Sequence, residues 1–173
     1  MKFLVDMNVG KLARLLRMMG YDALLFQGHD DGALVKRALA EGRVVLTKDS
    51  QVFQRRLVRL GRLKALRIGG EDPFLQLRQV VEAFRLKYDY RPFSLCLECN
   101  VPLEPRAKEE VKGLVPPFVY ENQEEFRQCP ACKRLYWRGT HWQHMGRVLR
   151  GLEGANEAPP NRERLSRPFR LNG

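Results

Sequence analysis

An α/β fold with a parallel sheet is predicted for the first 90 or so residues, and three observations predict it. Four short apolar runs rich in Val, Leu, Ile and Phe alternate with segments whose apolar residues recur at helical spacing. Gly, Asp and Pro fall at the junctions between them, where turns and caps are needed. The resulting order, βαβαβαβα, requires crossover connections, which lay strands parallel and put helices on both faces of one sheet.

Each element has its own signal. Residues 2–5 read as a strand that ends at Asp6. Residues 11–19 carry apolar side chains at 12, 15, 16 and 19, a helical stripe closed by Gly20. Residues 21–26 read as a second strand. Residues 31–41 are helical, with apolar 34, 35, 38 and 39; Asp30 or Asp31 is the expected N-cap, and Gly42 follows the end. Residues 43–47 form a third strand and 64–68 a fourth; between them, 50–60 read as one helix ended by Gly61. Residues 73–88 make a long amphipathic helix with Pro73 in its first turn.

Composition changes near Tyr90-Arg91-Pro92. All seven Asp lie at or before Asp89, and all four Cys lie between 96 and 132. The expected organisation is a domain over 1–91, a small metal-stapled β module over 92–152 and an extended or disordered tail over 153–173. Aromatic runs such as Phe118-Val119-Tyr120 and Leu135-Tyr136-Trp137 are the module's expected strand segments, and 141–152 is an expected short helix.

The 173 residues carry a net charge of +11, and 44% are hydrophobic, enough for a real core. Residues 1–92 hold 18 Lys and Arg against 10 Asp and Glu, and residues 93–173 hold 13 against 10. Such an excess favours an anionic partner, nucleic acid above all; an Arg-rich surface of the kind some heat-adapted proteins carry is the bland alternative. No run approaches the roughly 20 apolar residues of a membrane span, and Asp6 cuts the N-terminal apolar run too short for a signal peptide. A cytoplasmic protein is the expectation.

In open α/β sheets, sites form beyond the C-terminal ends of the strands. Asp6 and Asp49 follow two such ends, and Asp31 opens the helix after the second strand. Any one of them alone reads as a turn or cap residue. If the first and third strands are neighbours, Asp6 and Asp49 share a rim, and carboxylates clustered in a basic chain suit a divalent metal that then meets a phosphate. Thr47 is placed to orient a carboxylate or water, and Asn8, Lys11 and Lys48 flank the rim. The expected chemistry is phosphodiester hydrolysis at Asp6, Asp31 and Asp49 with Mg²⁺ or Mn²⁺, the nucleic-acid backbone being held by Lys11, Arg14, Arg17 and Lys48. No glycine-rich phosphate loop and no serine elbow competes with it.

Cys96-Leu97-Glu98-Cys99 and Cys129-Pro130-Ala131-Cys132 are two CxxC knuckles separated by 29 residues. Four thiolates at this spacing make a closed tetrahedral Zn²⁺ site of the zinc-ribbon type, structural and not catalytic. Lys133, Arg134, Tyr136, Trp137 and Arg138 give the ribbon a basic, aromatic loop for nucleic acid, or equally a structural or protein-contact surface. The rival set Cys129, Cys132, His141 and His144 has Cys-to-His and His-to-His gaps too short for a finger, and it strands Cys96 and Cys99.

Together these stretches resemble the Mut-seven C-terminal RNase family, PIN-like domains carrying a C-terminal zinc ribbon. The resemblance rests on Phe3-Leu4-Val5-Asp6, the run from Leu12 through Gly20-Tyr21-Asp22, Asp31 with Leu34-Val35, and Val45-Leu46-Thr47-Lys48-Asp49. It continues in Cys96 to Asn100, Cys129 to Cys132 and Tyr136-Trp137-Arg138-Gly139-Thr140-His141, covering about residues 1–150. It implies a PIN-like fold, metal-dependent RNA cleavage with Asp6, Asp31 and Asp49 as the acidic site, and cysteine-bound zinc. One departure stands out: PIN nucleases commonly use a fourth acid, and Gln51 and Gln54 occupy the places beyond Asp49 where one is sought, leaving Asp30 or Asp72 as substitutes. Two non-catalytic readings stay beside this one: a nucleic-acid-binding protein working through its ribbon and basic surface, and a protein-interaction adaptor on a degenerate PIN fold, docking through ribbon or tail.

Overall fold

A computed structural model of the chain describes residues 1–87, 90–139 and 151. The expected tail over 153–173 and, Gly151 apart, the expected helix over 141–152 lie outside the described residues. The chain divides into two compact units, residues 1–105 with 129–132, and residues 106–128 with 133 onward. No described helix is long and apolar enough to cross a membrane.

The first unit is built on β1 (Lys2–Asp6), β2 (Asp22–Phe26), β3 (Val44–Thr47) and β4 (Ala65–Arg67), all parallel, in the order β2-β1-β3-β4. The first and third strands are therefore neighbours, with Phe3 opposite Val44 and Val5 opposite Leu46. The chain leaves β1 for one edge through β2 and returns past β1 to β3. This reversal leaves a crevice beyond the carboxyl ends of β1 and β3.

Helices α1 (Lys11–Met18), α2 (Asp31–Glu41), α3 (Gln51–Gln54), α4 (Arg56–Arg59) and α5 (Pro73–Phe84) cover the sheet. Side chains alternate along each strand and feed two cores. Leu4 and Val45 pack with Phe26, Leu34, Val35, Ala38, Val52 and Leu63 beneath α2 and α3. Phe3 meets Tyr21 and Phe84 edge-on, with ring centroids 6.2 and 5.9 Å apart. Each fully buried side chain of this size contributes about 1.5–3 kcal/mol of burial free energy.

The α1 stripe buries Leu12, Leu15, Leu16 and Met19 as its spacing predicts. Gly20 closes it with φ +89°, and a Cβ there would strike the Arg91 carbonyl at 2.2 Å, so both backbone and space demand glycine. Asp30, not Asp31, caps α2: its carboxylate accepts from the amides of Gly32 (2.9 Å) and Ala33 (3.0 Å).

Three expectations need correction. The single helix over 50–60 is two short helices, because Arg55 is extended (φ −62°, ψ 134°) and breaks the ladder. The helix expected to reach 88 ends at Phe84, where Arg85 turns left-handed (φ 50°) and sends the chain to Tyr21, whose hydroxyl accepts from the Lys87 amide at 2.9 Å. Phe118-Val119-Tyr120 is not a strand but lies in α6 (Pro117–Asn122), a helix that Pro116-Pro117 starts by fixing φ at its first turn.

After α5 the chain forms β5 (Glu104–Arg106), β6 (Phe126–Gln128) and β7 (Leu135–Trp137), a three-stranded sheet in that order. The β6 and β7 pair is antiparallel, with Phe126 opposite Trp137. The second unit's small core is Val111, Val115 and Phe126, with Val119, Tyr120, Leu135 and Trp137 packed on it. Tyr136 is only 8% exposed. Tyr136 and Trp137 thus serve the fold, and the aromatic half of the expected nucleic-acid loop is not a free stacking surface.

Candidate functional site

The topology brings the three aspartates to one place. Asp6 is the last residue of β1, Asp49 lies two residues past the end of β3, and Asp31 is the first residue of α2. All three line an open cleft of about 220 Å³, together with Met7, Asn8, Phe26, Gly28, His29, Asp30 and Leu34.

The Asp6 carboxylate is oriented by two donors on one oxygen. Thr47 Oγ1 donates to its Oδ2 at 2.6 Å, and Asn8 Nδ2 donates to the same atom at 2.7 Å. Thr47 is completely buried, and its hydroxyl also accepts from Asn8 Nδ2 (3.2 Å) and from the Asp49 amide (3.0 Å). Asn8 in turn accepts from the Lys48 amide at 3.1 Å. One buried hydroxyl thereby ties the end of β1 to the end of β3. Asp49 Oδ1 accepts from the Gln51 amide at 2.7 Å, an Asx turn that starts α3.

Three hydrogen-bonding faces remain open. Asp6 Oδ1, Asp49 Oδ2 and both oxygens of Asp31 take no hydrogen bond among the described residues. Burial pushes the Asp31 carboxyl above the usual aspartate range; the negative charges of Asp49, Asp6 and Asp30 push the same way, and the Arg55 guanidinium opposes them. The cleft therefore gathers uncompensated negative charge and hard oxygen donors, the donor chemistry that Mg²⁺ and Mn²⁺ take. The carboxylates are not as close-set as the thiols described below.

The substitutes for a fourth acid are both employed elsewhere. Asp30 lines the cleft but caps α2 with both oxygens. Asp72 caps α5, accepting from the amides of Phe74 (2.8 Å) and Leu75 (3.3 Å). His29 lines the cleft without having been singled out in the sequence, where a lone histidine in a polar loop carries no spacing signal.

The basic residues expected to hold RNA are mostly committed to other partners. Lys48 Nζ pairs with Glu71 at 2.6 Å and Arg14 with Glu98 at 2.8 Å. Arg17 is 6% exposed and cannot meet a phosphate. Its guanidinium donates to the carbonyls of Ala23 (2.8 Å), Leu97 (2.6 Å) and Glu98 (2.9 Å). A periodicity argument sees charge at position 17 and cannot see that three backbone carbonyls, two of them in buried contacts, take up that charge. Lys11 stays exposed at the start of α1.

Cys96, Cys99, Cys129 and Cys132 all belong to the first unit, and their sulfurs lie within 4.8 Å of one another. Among the described residues they are the set of potential ligands that meets so closely. In each knuckle the second cysteine's amide donates to the first sulfur, at 3.3 Å for Cys99 to Cys96 and 3.4 Å for Cys132 to Cys129. The residue after each knuckle, Asn100 and Lys133, is left-handed with φ 62°. Cys96 Sγ and Cys132 Sγ are 3.7 Å apart. A tetrahedron with Zn–S bonds of about 2.3 Å has edges of about 3.8 Å. The sulfurs are thus set for a metal such as zinc. Burial pushes the Cys99 thiol up to about 12, helped by its sulfur neighbours, and raises Cys129 likewise. Thiols so crowded lose their protons readily only to a cation that takes up the charge. His141 and His144 of the rival set lie outside the described residues.

The first knuckle is sewn to the sheet. Asn100 Oδ1 accepts from the Ala23 amide (3.0 Å) on the open edge of β2, and its Nδ2 donates to Asp22 Oδ1 (2.7 Å). Asp22 also takes two bonds from Arg43, at 2.6 and 3.2 Å. Arg17 grips the knuckle from α1.

No curated protein and no solved structure matches the chain significantly. Among protein families, the one described as the Mut7-C RNAse domain matches residues 1–149, a span that takes in the acidic cleft and both knuckles. A match over that much of the chain means that this protein belongs to the Mut7-C RNAse domain family, for which a ribonuclease-type function is the indicated activity.

Proposed function

We propose that the chain is a metal-dependent ribonuclease of PIN-like architecture, hydrolysing RNA phosphodiester bonds at Asp6, Asp31 and Asp49. The observation that carries this reading is the set of free carboxylate oxygens on one cleft: Asp6 Oδ1, Asp49 Oδ2 and the whole of Asp31. When bound there, Mg²⁺ or Mn²⁺ supplies Lewis acidity and a water of lowered pKa. The chain's own part is placement. Thr47 and Asn8 hold Asp6 so that its second oxygen faces the cleft. The Asx turn does the same for Asp49, and Asp31 keeps both oxygens free beside them to orient a water. Asp6 and Asp49 are the direct ligands in this reading, and Asp31 completes the shell or orients the attacking water.

The four cysteines hold a structural Zn²⁺ in a ribbon-like clasp, with no open position for substrate. A reducing compartment such as the cytoplasm keeps those thiols available to the metal.

Purified protein incubated with Mn²⁺ and a mixture of RNAs tests the reading, beside Asp6→Asn and Asp49→Asn. Cleavage by the wild type that either substitution abolishes supports it. Equal cleavage by all three, or cleavage indifferent to chelation of Mn²⁺, refutes it, and no cleavage by any of them leaves a non-catalytic RNA-binding protein.

A further inference from the structure

Between Ser50 and Gly70 the chain has six cations, Arg55, Arg56, Arg59, Arg62, Lys64 and Arg67, and not one Asp or Glu. All six are exposed. None has an ion pair or side-chain hydrogen bond among the described residues. Elsewhere in the same unit Arg37 pairs with Glu41 and Arg78 with Glu82, each four residues on along a helix, and exposed cations without an ion pair among the described residues, such as Lys11 and Lys36, do not lie in so long a run without an acid. The contrast is local and one-sided, amounting to six of a net eleven positive charges.

The segment starts at the cleft. Asp49 opens α3 through the Gln51 amide, α3 ends at Gln54, and α4 carries Arg56 and Arg59 onward to β4 at the edge of the sheet. Arg55 stands at the break between the two helices. We propose that Arg55, Arg56, Arg59, Arg62, Lys64 and Arg67 form the track that binds the phosphate backbone of single-stranded RNA and leads it to the acidic cleft. That the anion is RNA rests on the ribonuclease reading; that the track binds a polyanion does not.

Edge protection is the competing explanation, since charged side chains on an edge strand prevent unwanted pairing. It accounts for Lys64 and Arg67, which flank or end β4, and says nothing of the four arginines before them. The track also takes over the role that Arg14, Arg17 and Lys48 do not fill. A repulsive run of like charge costs stability unless a partner neutralises it, and regularly spaced phosphates do so while releasing counterions.

The test measures binding of a fluorescein-labelled 20-nucleotide RNA by anisotropy across a KCl series, with no divalent ion added so that cleavage is off. The triple variant Arg56→Gln/Arg59→Gln/Arg62→Gln removes three phosphate contacts. Its log–log salt slope is expected to be shallower by about 2, at about 0.7 per contact for a single strand, with affinity at 50 mM KCl down by about tenfold or more. The charge-keeping variant Arg56→Lys/Arg59→Lys/Arg62→Lys restores most of both, which separates lost charge from lost folding. The control pair Lys36→Gln/Lys112→Gln, exposed cations elsewhere, is expected to keep nearly the wild-type slope and affinity. An unchanged slope in the triple variant, an equal loss in the control pair, or tighter binding of duplex DNA than of the RNA overturns the proposal. Because no cleavage is measured, an inactive Asp6→Asn/Asp49→Asn comparison bears on the nuclease reading alone.

Discussion

Cys96 and Cys99 sit on one tight turn whose own amide points at the first sulfur, and Cys129 and Cys132 repeat that geometry. Asp6, Asp31 and Asp49 instead come from the ends of three different elements and meet only because β1 lies beside both β2 and β3. The thiols form a set within 4.8 Å; the carboxylates line a cleft of about 220 Å³ at wider spacing. A closed set of soft ligands leaves no coordination position for substrate, whereas an open set of hard ones leaves room for water and phosphate. In the proposed reading, then, one cluster of a single unit holds the chain together and the other acts on something else. Mutations in the two should therefore fail in opposite ways.

The largest expected effect is on the thiol side. Cys96→Ser leaves three thiolates, and apparent zinc binding is worth about 10–16 kcal/mol in small zinc-folded modules, as much as an entire domain's stability of about 5–15 kcal/mol. The variant is expected to lose its metal and its cooperative thermal transition together, read by metal analysis and near-ultraviolet circular dichroism. A metal-free variant that melts like the wild type breaks the distinction between the two clusters.

Next comes the carboxylate side. Asp49→Asn is expected to lower RNA cleavage with Mn²⁺ on the order of 10²–10³-fold, the scale seen when one group stabilising transition-state charge is removed. Its melting temperature should hold or rise, because a repelling charge has gone from beside Asp31. A fall in both activity and melting temperature means that the cleft, like the thiols, is structural.

A third variant asks whether the two clusters are mechanically linked. Arg17 bridges α1, β2 and the first knuckle through three backbone carbonyls. Arg17→Met leaves those acceptors buried without donors, at a cost of about 2–4 kcal/mol. Arg17→Lys should recover little, since a single ammonium cannot span the fork. Equilibrium unfolding in urea gives both numbers, and an Arg17→Met loss within 0.5 kcal/mol, roughly the surface-substitution range, removes the link.

The contrast between the clusters also explains what sequence could and could not reveal. Strand and helix periods marked β1 to β4 and α2 to within a residue or two, since burial on a sheet imposes those periods directly. The CxxC spacing was legible for a similar reason: its geometry is local. Asp6 and Asp49 became a pair only under a condition about strand order, which the β1–β3 pairing meets. Asp30 or Asp31 as the cap could not be settled, because both fit the signal and one register decides. The break at Arg55 and the buried state of Arg17 left no trace, since both answer to tertiary contacts that no local pattern encodes. The same blindness hid the basic track. In the sequence its arginines look like those of Arg14 and Arg17, and only the structure shows which have carboxylates or carbonyls to meet.

The smallest effect tests the seam itself. Burial alone would raise the Asp22 carboxyl, yet hydrogen bonds from Arg43 and Asn100 and the Arg43 charge outweigh it and hold the group below its ordinary value. A carboxyl depressed in the folded state stabilises the fold above its unfolded pKa, near 3.9, and that contribution is lost as pH falls through the folded value. Its side chain is 31% exposed, so solvent screening limits the contribution to about 1 kcal/mol. Wild type should thus exceed Asp22→Asn by that margin at pH 6, and the margin should shrink steadily from about pH 4 downward. Protonation of the thiols at acid pH affects both proteins alike and cancels in the difference, so urea midpoints at matched pH isolate the seam. A margin that is constant with pH would mean that Asp22 acts through shape alone. The knuckle would then be fastened to β2 by the Asn100–Ala23 bond and Arg17, without help from charge.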